Sequence, residues 1–352
     1  MTSSPAAVVC LLALAFAAQS APRADVPRKG KGRPLTGDAA YQSEIKPLLS
    51  KYCFGCHGEK QKGDLDLRVY TDAASVLRDR KTFAKQDLTV SVPGGPTGMV
   101  FVHDQNEDSD DFMVQENGNS GPSAFLFATE GGTILGWNPN VDLNNAIVAV
   151  DQSGQGSVFK GIDVAQDREL LFAADFVNNR VDVFDDQFHP VTSFTDPDLP
   201  KRFAPFNVAV LHGAIYVAFA KRERGGIDNL NGAGLGYVDV FSADGRLKTH
   251  LIANGPLNAP WGMTIAPDNF GSFSNALLVG NFGDGRINAF DPYTGDFLGT
   301  LNRPNGHPLN IDGLWALDGN RDGTVTFSAG PNDESNGLVG KISVAGAAIA
   351  TK

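Results

Sequence analysis

Two cysteines and a histidine lie close together near the start of the 352-residue chain, in the order Cys53-Phe54-Gly55-Cys56-His57. This C-x-x-C-H pattern is typical of covalent c-type haem attachment. Two thiols at positions i and i+3 add to the two vinyl groups on one edge of the porphyrin, and the adjacent imidazole ligates the iron from the proximal side. We therefore predict haem c, with Cys53 and Cys56 as thioether ligands and His57 as the proximal iron ligand.

Three other interpretations of this motif stay open. A thioredoxin-like redox pair also uses C-x-x-C, although the adjacent His57 and the absence of a βαβ pattern favour haem. A disulfide is allowed in an oxidising compartment, but a separation of two residues makes a strained, reducible loop. A zinc site needs a fourth ligand from a chain with only 3 Cys and 6 His.

The residues on both sides of the motif are predicted to be helical. Before it, apolar residues recur at the spacing of one helix face, and Pro47 either kinks that helix or marks its start. After it, Thr71 or Asp72 can cap a second helix that runs to about Lys85. The motif thus belongs to a small α-helical module.

The segment Ile45–Phe83 resembles the start of the planctomycete-type cytochrome c domain. The shared features are an I-x-P helix, the C-x-x-C-H motif and a K-Q-K-G-x-L-x-L stretch before a helix. The resemblance implies the same haem roles for Cys53, Cys56 and His57. That family continues to a methionine that can close the distal side of the iron. This chain departs from the pattern after Phe83, so the distal ligand is unassigned.

Charge and glycine divide the sequence near residue 86. Residues 22–86 contain 14 Lys and Arg against 8 Asp and Glu, whereas residues 87–352 contain 15 against 32. Of the 40 glycines, 34 follow residue 86. We predict a basic linker over 22–37, a truncated haem module over 38–86 and an acidic domain over 87–345. The formal net charge of −11 argues against a nucleic-acid partner.

An uncharged apolar run covers residues 6–18, and small residues follow at Ala18, Ser20 and Ala21. This predicts a secretory signal peptide over 1–21, although no Lys or Arg precedes Arg23 to form a basic n-region. The alternative is a buried N-terminal helix. The run is too short to span a bilayer, so we expect no transmembrane anchor and a periplasmic or extracellular location.

A repeated strand–turn–strand unit dominates the second half of the sequence. Leu171–Asp185 and Leu277–Asp291 align without gaps at an offset of 106 residues. Weaker copies are present, and a shorter strand is predicted before each copy. The copies are Phe125–Asn138, Ile215–Ser242 and Val325–Ser343, and the five preceding strands are Thr97–Phe101, Gly161–Ala165, Phe206–Val210, Trp261–Ala266 and Gly313–Leu317.

Short strands that recur about every 46–63 residues are typical of propeller blades. We predict a mainly β fold, a β-propeller with five recognisable blades, preceded by the cytochrome c-like module. The last blade lacks an obvious fourth strand. Asp87–Val92 alternates in polarity and is predicted to supply that strand and close the ring.

Four stretches of this domain resemble a known group: GGPTGMVF, LLVGNFGDGRINAFDPYTGDFLGTL, IDGLWAL and SAGPNDESNGL. They look like a six-bladed bacterial secreted β-propeller family related to NHL and SMP-30-like propellers, often with a PEP-CTERM sorting tail. The resemblance covers about residues 88–343 and leaves the biochemical role open. This chain departs from it twice: the first blade is replaced by the cytochrome-like fragment, and the C-terminal residues Ala-Ile-Ala-Thr-Lys are not a sorting tail.

The propeller contains several candidate metal ligands. Asp318, Asn320 and Asp322 match the start of a D-x-N-x-D-G calcium loop, but Ala329 stands where a bidentate acid is expected, so a plain turn is the alternative. SMP-30-like lactonases bind a divalent metal at the channel mouth, and that resemblance implies a second candidate set near the inner strands. Its members are Asn207, Asn258, Asn310 and Asp312.

Two polar positions recur in the aligned repeats, as Asp175 and Asn281 and as Arg180 and Arg286. Recurrence favours hydrogen bonds at strand ends and turns over chemistry. For the chain as a whole we predict a secreted electron carrier that docks a redox protein. The sequence does not identify a ligand for the propeller. The alternative is a propeller binding module or metal-dependent hydrolase with a vestigial cytochrome fragment.

Overall fold

The computed structural model describes residues 88–102, 110–165, 167 and 169–344, and the single positions 42, 46, 68 and 71. The predicted signal peptide, the basic linker and the haem motif lie outside these residues. Contacts divide the chain into two compact units, with the division after Thr89. Within the described ranges, no helix combines the length and hydropathy needed to cross a membrane.

The unit that follows Thr89 is a β-propeller, in which the described residues form five successive antiparallel sheets, or blades. Blades 1 to 4 have four strands each, and a separate hairpin, β2–β3, is inserted into blade 1. Blade 1 contains β1 (Pro96–Phe101), β4 (Phe125–Thr129), β5 (Thr133–Trp137) and β6 (Ile147–Asp151), and the hairpin contains β2 (Met113–Glu116) and β3 (Asn119–Pro122). Blade 2 contains β7 (Phe159–Ala165), β8 (Leu170–Asp175), β9 (Arg180–Asp185) and β10 (Pro190–Phe194).

Blades 3 and 4 repeat this plan, and blade 5 has three strands among the described residues. Blade 3 contains β11 (Phe203–Leu211), β12 (Ala214–Lys221), β13 (Gly236–Phe241) and β14 (Leu247–Ala253). Blade 4 contains β15 (Pro260–Ile265), β16 (Leu277–Asn281), β17 (Ile287–Phe290) and β18 (Phe297–Thr300), and blade 5 contains β19 (Leu314–Gly319), β20 (Val325–Ala329) and β21 (Leu338–Ile342). Short 3-10 helices cover Ser153–Gln155 and Gly271–Phe273.

The core lies between neighbouring blades. The second strand of a blade is covered on both faces, so β4 is buried at all five residues, and its first four residues are apolar. Between blades 1 and 2, Leu126, Phe159 and Phe184 belong to one buried cluster. Between blades 2 and 3, Phe172 and Phe219 belong to the next.

The five predicted blades are confirmed. Each short strand predicted before a repeat is the first strand of a blade, namely β1, β7, β11, β15 and β19, and these strands contact one another in that order. We call them the inner strands. The closing strand predicted over Asp87–Val92 differs from the structure, because residues 88–92 form no strand. Instead, Ser91 exchanges backbone hydrogen bonds with Asn144 and Ala146, which precede β6 of blade 1.

Candidate functional site

All five inner strands carry a register irregularity near their start, after the first paired residue in four of them and after the third, Pro205, in β11. In β1, for example, Pro96 pairs with Thr129 but Gly98 pairs with Ala128, so that Thr97 is an extra residue. The residues that directly follow the last pair before the irregularity are Thr97, Lys160, Phe206, Trp261 and Trp315. We call these five the bulge residues. Bulges aim side chains away from the regular sheet and are frequent beside functional sites.

Close approach of the inner strands requires very small residues next to the bulge residues. A Cβ atom added at Gly161 would lie 1.8 Å from Asn207 Oδ1 and 2.5 Å from Asn207 Cα on the next inner strand. At Gly262, a Cβ atom would lie 2.6 Å from the backbone oxygen of Trp315. Glycine at these positions lets adjacent backbones pack against each other.

Side-chain hydrogen bonds then tie each inner strand to the next, from blade 1 to blade 5. Thr97 Oγ1 donates to the backbone oxygen of Lys160 at 2.9 Å, and the Val210 N–H donates to Asp163 Oδ2 at 2.7 Å. Asn207 Nδ2 donates to the Trp261 carbonyl at 2.8 Å. Thr264 Oγ1 accepts from the Gly319 N–H at 3.0 Å. These bonds hold the bulge residues in a fixed arrangement.

Lys160 is a buried cation among carboxylates. Its side chain is 6% exposed, and its Nζ pairs with Glu130 Oε1 and lies 3.8 Å from Asp228 Oδ1. The same Nζ lies 5.9 Å from the centre of the Phe176 ring, a cation–π distance. Partial burial raises the pKa of Glu334; Glu130 raises it further, while Lys160 lowers it. Asp228 also raises it, so three carboxyl groups share the surroundings of one ammonium.

An aromatic cluster continues from this charged group. Phe176 contacts Phe206 at a ring-centre distance of 5.3 Å, and Phe206 contacts Trp261 edge-on at 4.8 Å. Trp315 lies 4.5 Å from both Trp261 and Phe282. Phe282 and Trp315 are only half buried, so the aromatic cluster that begins at Lys160 ends in accessible rings. We call Lys160, Glu130, Asp228, Glu334 and these five rings the axial site.

The predicted calcium ligands lie elsewhere, where β19 turns into β20. Asn320 Nδ2 donates to the hydroxyls of Thr324 and Thr326 at 3.0 and 2.8 Å. Asp322 accepts from the Thr324 N–H at 3.1 Å and lies 3.2 Å from Lys341 Nζ. Burial raises the pKa of Asp163 on β7 to about 6, and the charge of Asp318 adds to this shift. These residues form a hydrogen-bonded hairpin turn, and calcium binding stays a prediction.

The candidate set taken from the SMP-30 resemblance makes separate backbone contacts. Asn207 donates to Trp261, as above, and Asn258 Oδ1 accepts from the Gly232 N–H at 2.6 Å. Asn310 Nδ2 donates to the Asp284 carbonyl at 3.2 Å, and Asp312 Oδ2 accepts from the Asn332 N–H at 3.0 Å. The Asn207 contact joins two inner strands, and the other three contacts support connections between strands.

The recurring positions Asp175 and Asn281 have the structural role that their repetition predicts. Asp175 Oδ1 accepts from the Val158 N–H at 3.1 Å, and Asn281 Oδ1 accepts from the Asn258 N–H at 3.1 Å. In each case the donor lies just before the inner strand of the same blade. The bond therefore fastens the entry of the chain into the blade.

Sequence reasoning missed Lys160, Glu130 and the role of the tryptophans. The signal that could have found them is the alignment of the five inner strands on the residue before the irregularity, namely Pro96, Phe159, Pro205, Pro260 and Leu314. Lys160 then stands out as a cation in a column that otherwise holds Thr97, Phe206, Trp261 and Trp315.

No family model matches this chain. The uncharacterized protein R648 of Acanthamoeba polyphaga mimivirus is 35% identical over 232 residues, which cover 62% of this chain and 56% of that protein. The uncharacterized protein L690 of the same virus is 33% identical over 242 residues, or 66% and 64% of the two chains. The chain thus spans less than two thirds of the length of these relatives, and their names assign no activity.

Solved structures with similar folds share little sequence with this chain. Virginiamycin B lyase from Staphylococcus aureus has a TM-score of 0.43 and 13% identity, covering 72% of this chain and 71% of that one. The gluconolactonase XC5397 from Xanthomonas campestris has a TM-score of 0.40 and 19% identity, covering 62% and 72%. Neither similarity bears on activity at these values, and the description as a propeller rests on the strand order given above.

Proposed function

We propose that the propeller is a ligand-binding module and that its axial site binds a basic peptide segment or another ligand with cationic groups. One observation carries the proposal: the paired ammonium of Lys160 lies among three carboxylates and contacts an aromatic cluster that ends in accessible rings. The carboxylates outnumber the cation, so a positive ligand is favoured and an anionic ligand is repelled. The half-buried rings of Trp315 and Phe282 can also accept a cation on their faces.

Each part of the axial site has a separate task. Lys160 holds Glu130 in place through their ion pair and the contact with Phe176. Asp228 and Glu334 are the more exposed carboxylates and are available to a ligand. The inner-strand hydrogen bonds fix the site before the ligand arrives, which lowers the entropic cost of binding.

Fluorescence titration of the full chain tests this proposal, because Trp261 and Trp315 belong to the axial site. The probe is tetralysine, with tetraserine and tetraglutamate as neutral and anionic controls at low ionic strength. We expect binding of tetralysine only. Glu334→Gln should weaken it about tenfold, since hydrogen bonds to charged groups contribute about 1.5–3 kcal/mol. Glu116→Gln, an exposed change on β2, is the matched control and should leave the affinity unchanged.

Two results would refute the proposal. One is tetraglutamate binding as tightly as tetralysine. The other is a tetralysine affinity that Glu334→Gln and Glu116→Gln change equally, which would place the contact outside the axial site.

The C-x-x-C-H motif supports a second candidate function, covalent haem c and electron transfer to a redox partner. In this proposal Cys53 and Cys56 carry the thioethers and His57 ligates the iron, in a protein exported to the periplasm or beyond. The test is the absorption spectrum of protein exported together with the c-haem maturation machinery, followed by haem staining of a denaturing gel. A colourless chain, when a control cytochrome is coloured, would exclude haem attachment.

A further inference from the structure

A second group of ligating side chains lies between blades 2 and 3. Asp239 on β13 and His250 on β14 are cross-strand partners, and Asp196 follows the last strand of blade 2. His250 Nδ1 lies 3.0 Å from Asp196 Oδ2 and 3.4 Å from Asp239 Oδ1. One ligand atom from each residue lies within 4.8 Å of the other two. The three side chains thus converge on one point.

The carboxylates of this group are buried without adequate partners. Asp239 is 0% exposed and Asp196 is 3% exposed. Neither oxygen of Asp239, nor Asp196 Oδ2, has a hydrogen-bond partner in acceptable geometry. Two buried carboxylates aimed at one point call for a positive charge between them.

We propose that Asp196, Asp239 and His250 bind one divalent transition-metal ion, best matched by Zn²⁺, which joins blade 2 to blade 3. One imidazole nitrogen and two carboxylate oxygens are ordinary zinc donors, whereas calcium sites are built from oxygen ligands. With metal–ligand bonds of about 2.0 Å, ligand atoms in a tetrahedral zinc site lie about 3.3 Å apart. The two His250 distances lie on either side of that value.

Zinc titration of the full chain, first dialysed against a chelator, tests the site, with bound metal counted by elemental analysis. Wild type should hold one more equivalent than His250→Ala, whose affinity at this site should fall about 100-fold or more. His189→Ala is the matched control, because His189 Nδ1 also lies near an aspartate, 3.3 Å from Asp185 Oδ2, but lacks a second carboxylate. Zinc held by the Cys53–His57 motif is the same in all variants, so it does not affect the difference in zinc content between them.

Co²⁺ substitution and thermal unfolding provide independent readouts. Wild type and His189→Ala should show the visible absorption of Co²⁺ bound to nitrogen and oxygen, and His250→Ala should lose it. Zn²⁺ should raise the Tm of wild type but not of His250→Ala. Asp196→Asn keeps the side-chain shape and should lose the same equivalent, which covers the case in which His250→Ala misfolds. Two results would overturn the proposal. One is a zinc content in His250→Ala and Asp196→Asn equal to that of wild type, and the other is Ca²⁺ bound as tightly as Zn²⁺.

Discussion

Replacing Asp182 by asparagine is expected to remove part of the pH dependence of propeller stability. Asp182 lies on β9, its side chain is 8% exposed, and its Oδ1 lies 2.7 Å from Arg180 Nε. Burial raises the pKa of Asp182 to about 6, and the Arg180 guanidinium only partly offsets this effect. Because the folded-state pKa exceeds the ordinary value of 3.8, ionisation of this carboxyl opposes folding. The contribution of the Asp182 carboxyl to the stability of the fold is most favourable below about pH 4 and is lost as the pH rises through 6.

The size of the effect follows from the shift. Two pKa units correspond to about 3 kcal/mol when the group is fully ionised. Between about pH 4.5 and 7.5 the penalty grows by about 2 kcal/mol. Asparagine does not titrate, and its amide oxygen can still accept from Arg180. The free energy of unfolding of Asp182→Asn, relative to wild type, should therefore rise by about 2 kcal/mol over this interval.

Urea unfolding at the two pH values, followed by tryptophan fluorescence, measures this difference. The aligned repeat supplies a reciprocal variant, because Asn288 occupies the equivalent place on β17 and is 1% exposed. Asn288→Asp should lose more stability at pH 7.5 than at pH 4.5. The prediction fails if the difference in unfolding free energy between Asp182→Asn and wild type is independent of pH, or if it falls as the pH rises. Either result would show that Arg180 fully compensates for burial of the carboxyl.

Two further changes probe the contacts of the blades. Gly161→Ala should lower the free energy of unfolding by about 1–3 kcal/mol or more, because the new Cβ collides with Asn207 on the next inner strand. Gly154→Ala, where nothing lies within 4 Å, is its control in thermal unfolding, and equal Tm values for the two variants would contradict the close approach. Asn281→Ala should cost about 1–3 kcal/mol, because the buried Asn258 N–H loses its acceptor. Unchanged urea unfolding of this variant would show that the bond does not hold the blade entry.

The blades are predictable from sequence because their signal is local. In Leu171–Asp185, two apolar runs and a turn that contains Asn179 define a hairpin within fifteen residues. The turn needs a residue that tolerates a positive φ, and Asn179 adopts a φ of 56°. The same pattern in Leu277–Asp291 identifies the repeat. A local pattern of this kind does not identify which strands pair with each other. For this reason the sequence predicts that Asp87–Val92 completes blade 5, whereas in the structure Ser91 pairs beside blade 1.

The axial site is hard to predict because its members come from different blades. Glu130, Lys160 and Glu334 are far apart in sequence, and no spacing rule connects them. Each inner strand also contains one extra residue. A shift of one residue reverses the face on which every later side chain lies, so alternation alone misplaces Lys160. Sequence reasoning misses Asp196 for a similar reason, because Asp196 lies in the connection that follows β10 and not in a strand.

The common position of the five bulge residues separates the strand ladders that build the propeller from the side chains of the proposed axial site. A bulge residue stands outside the regular pairing of its sheet, and the bulge re-aims the side chain that it carries. Threonine, lysine, phenylalanine and tryptophan accordingly occupy this one position in different blades. Thr97 bonds to the next inner strand. Lys160, Phe206 and Trp261 are buried against their neighbours. Trp315 is half buried, and it is therefore the bulge position at which an exchange can alter the accessible surface while the strand ladders keep their register. This makes Trp315 the place to begin redirecting the molecule to other ligands.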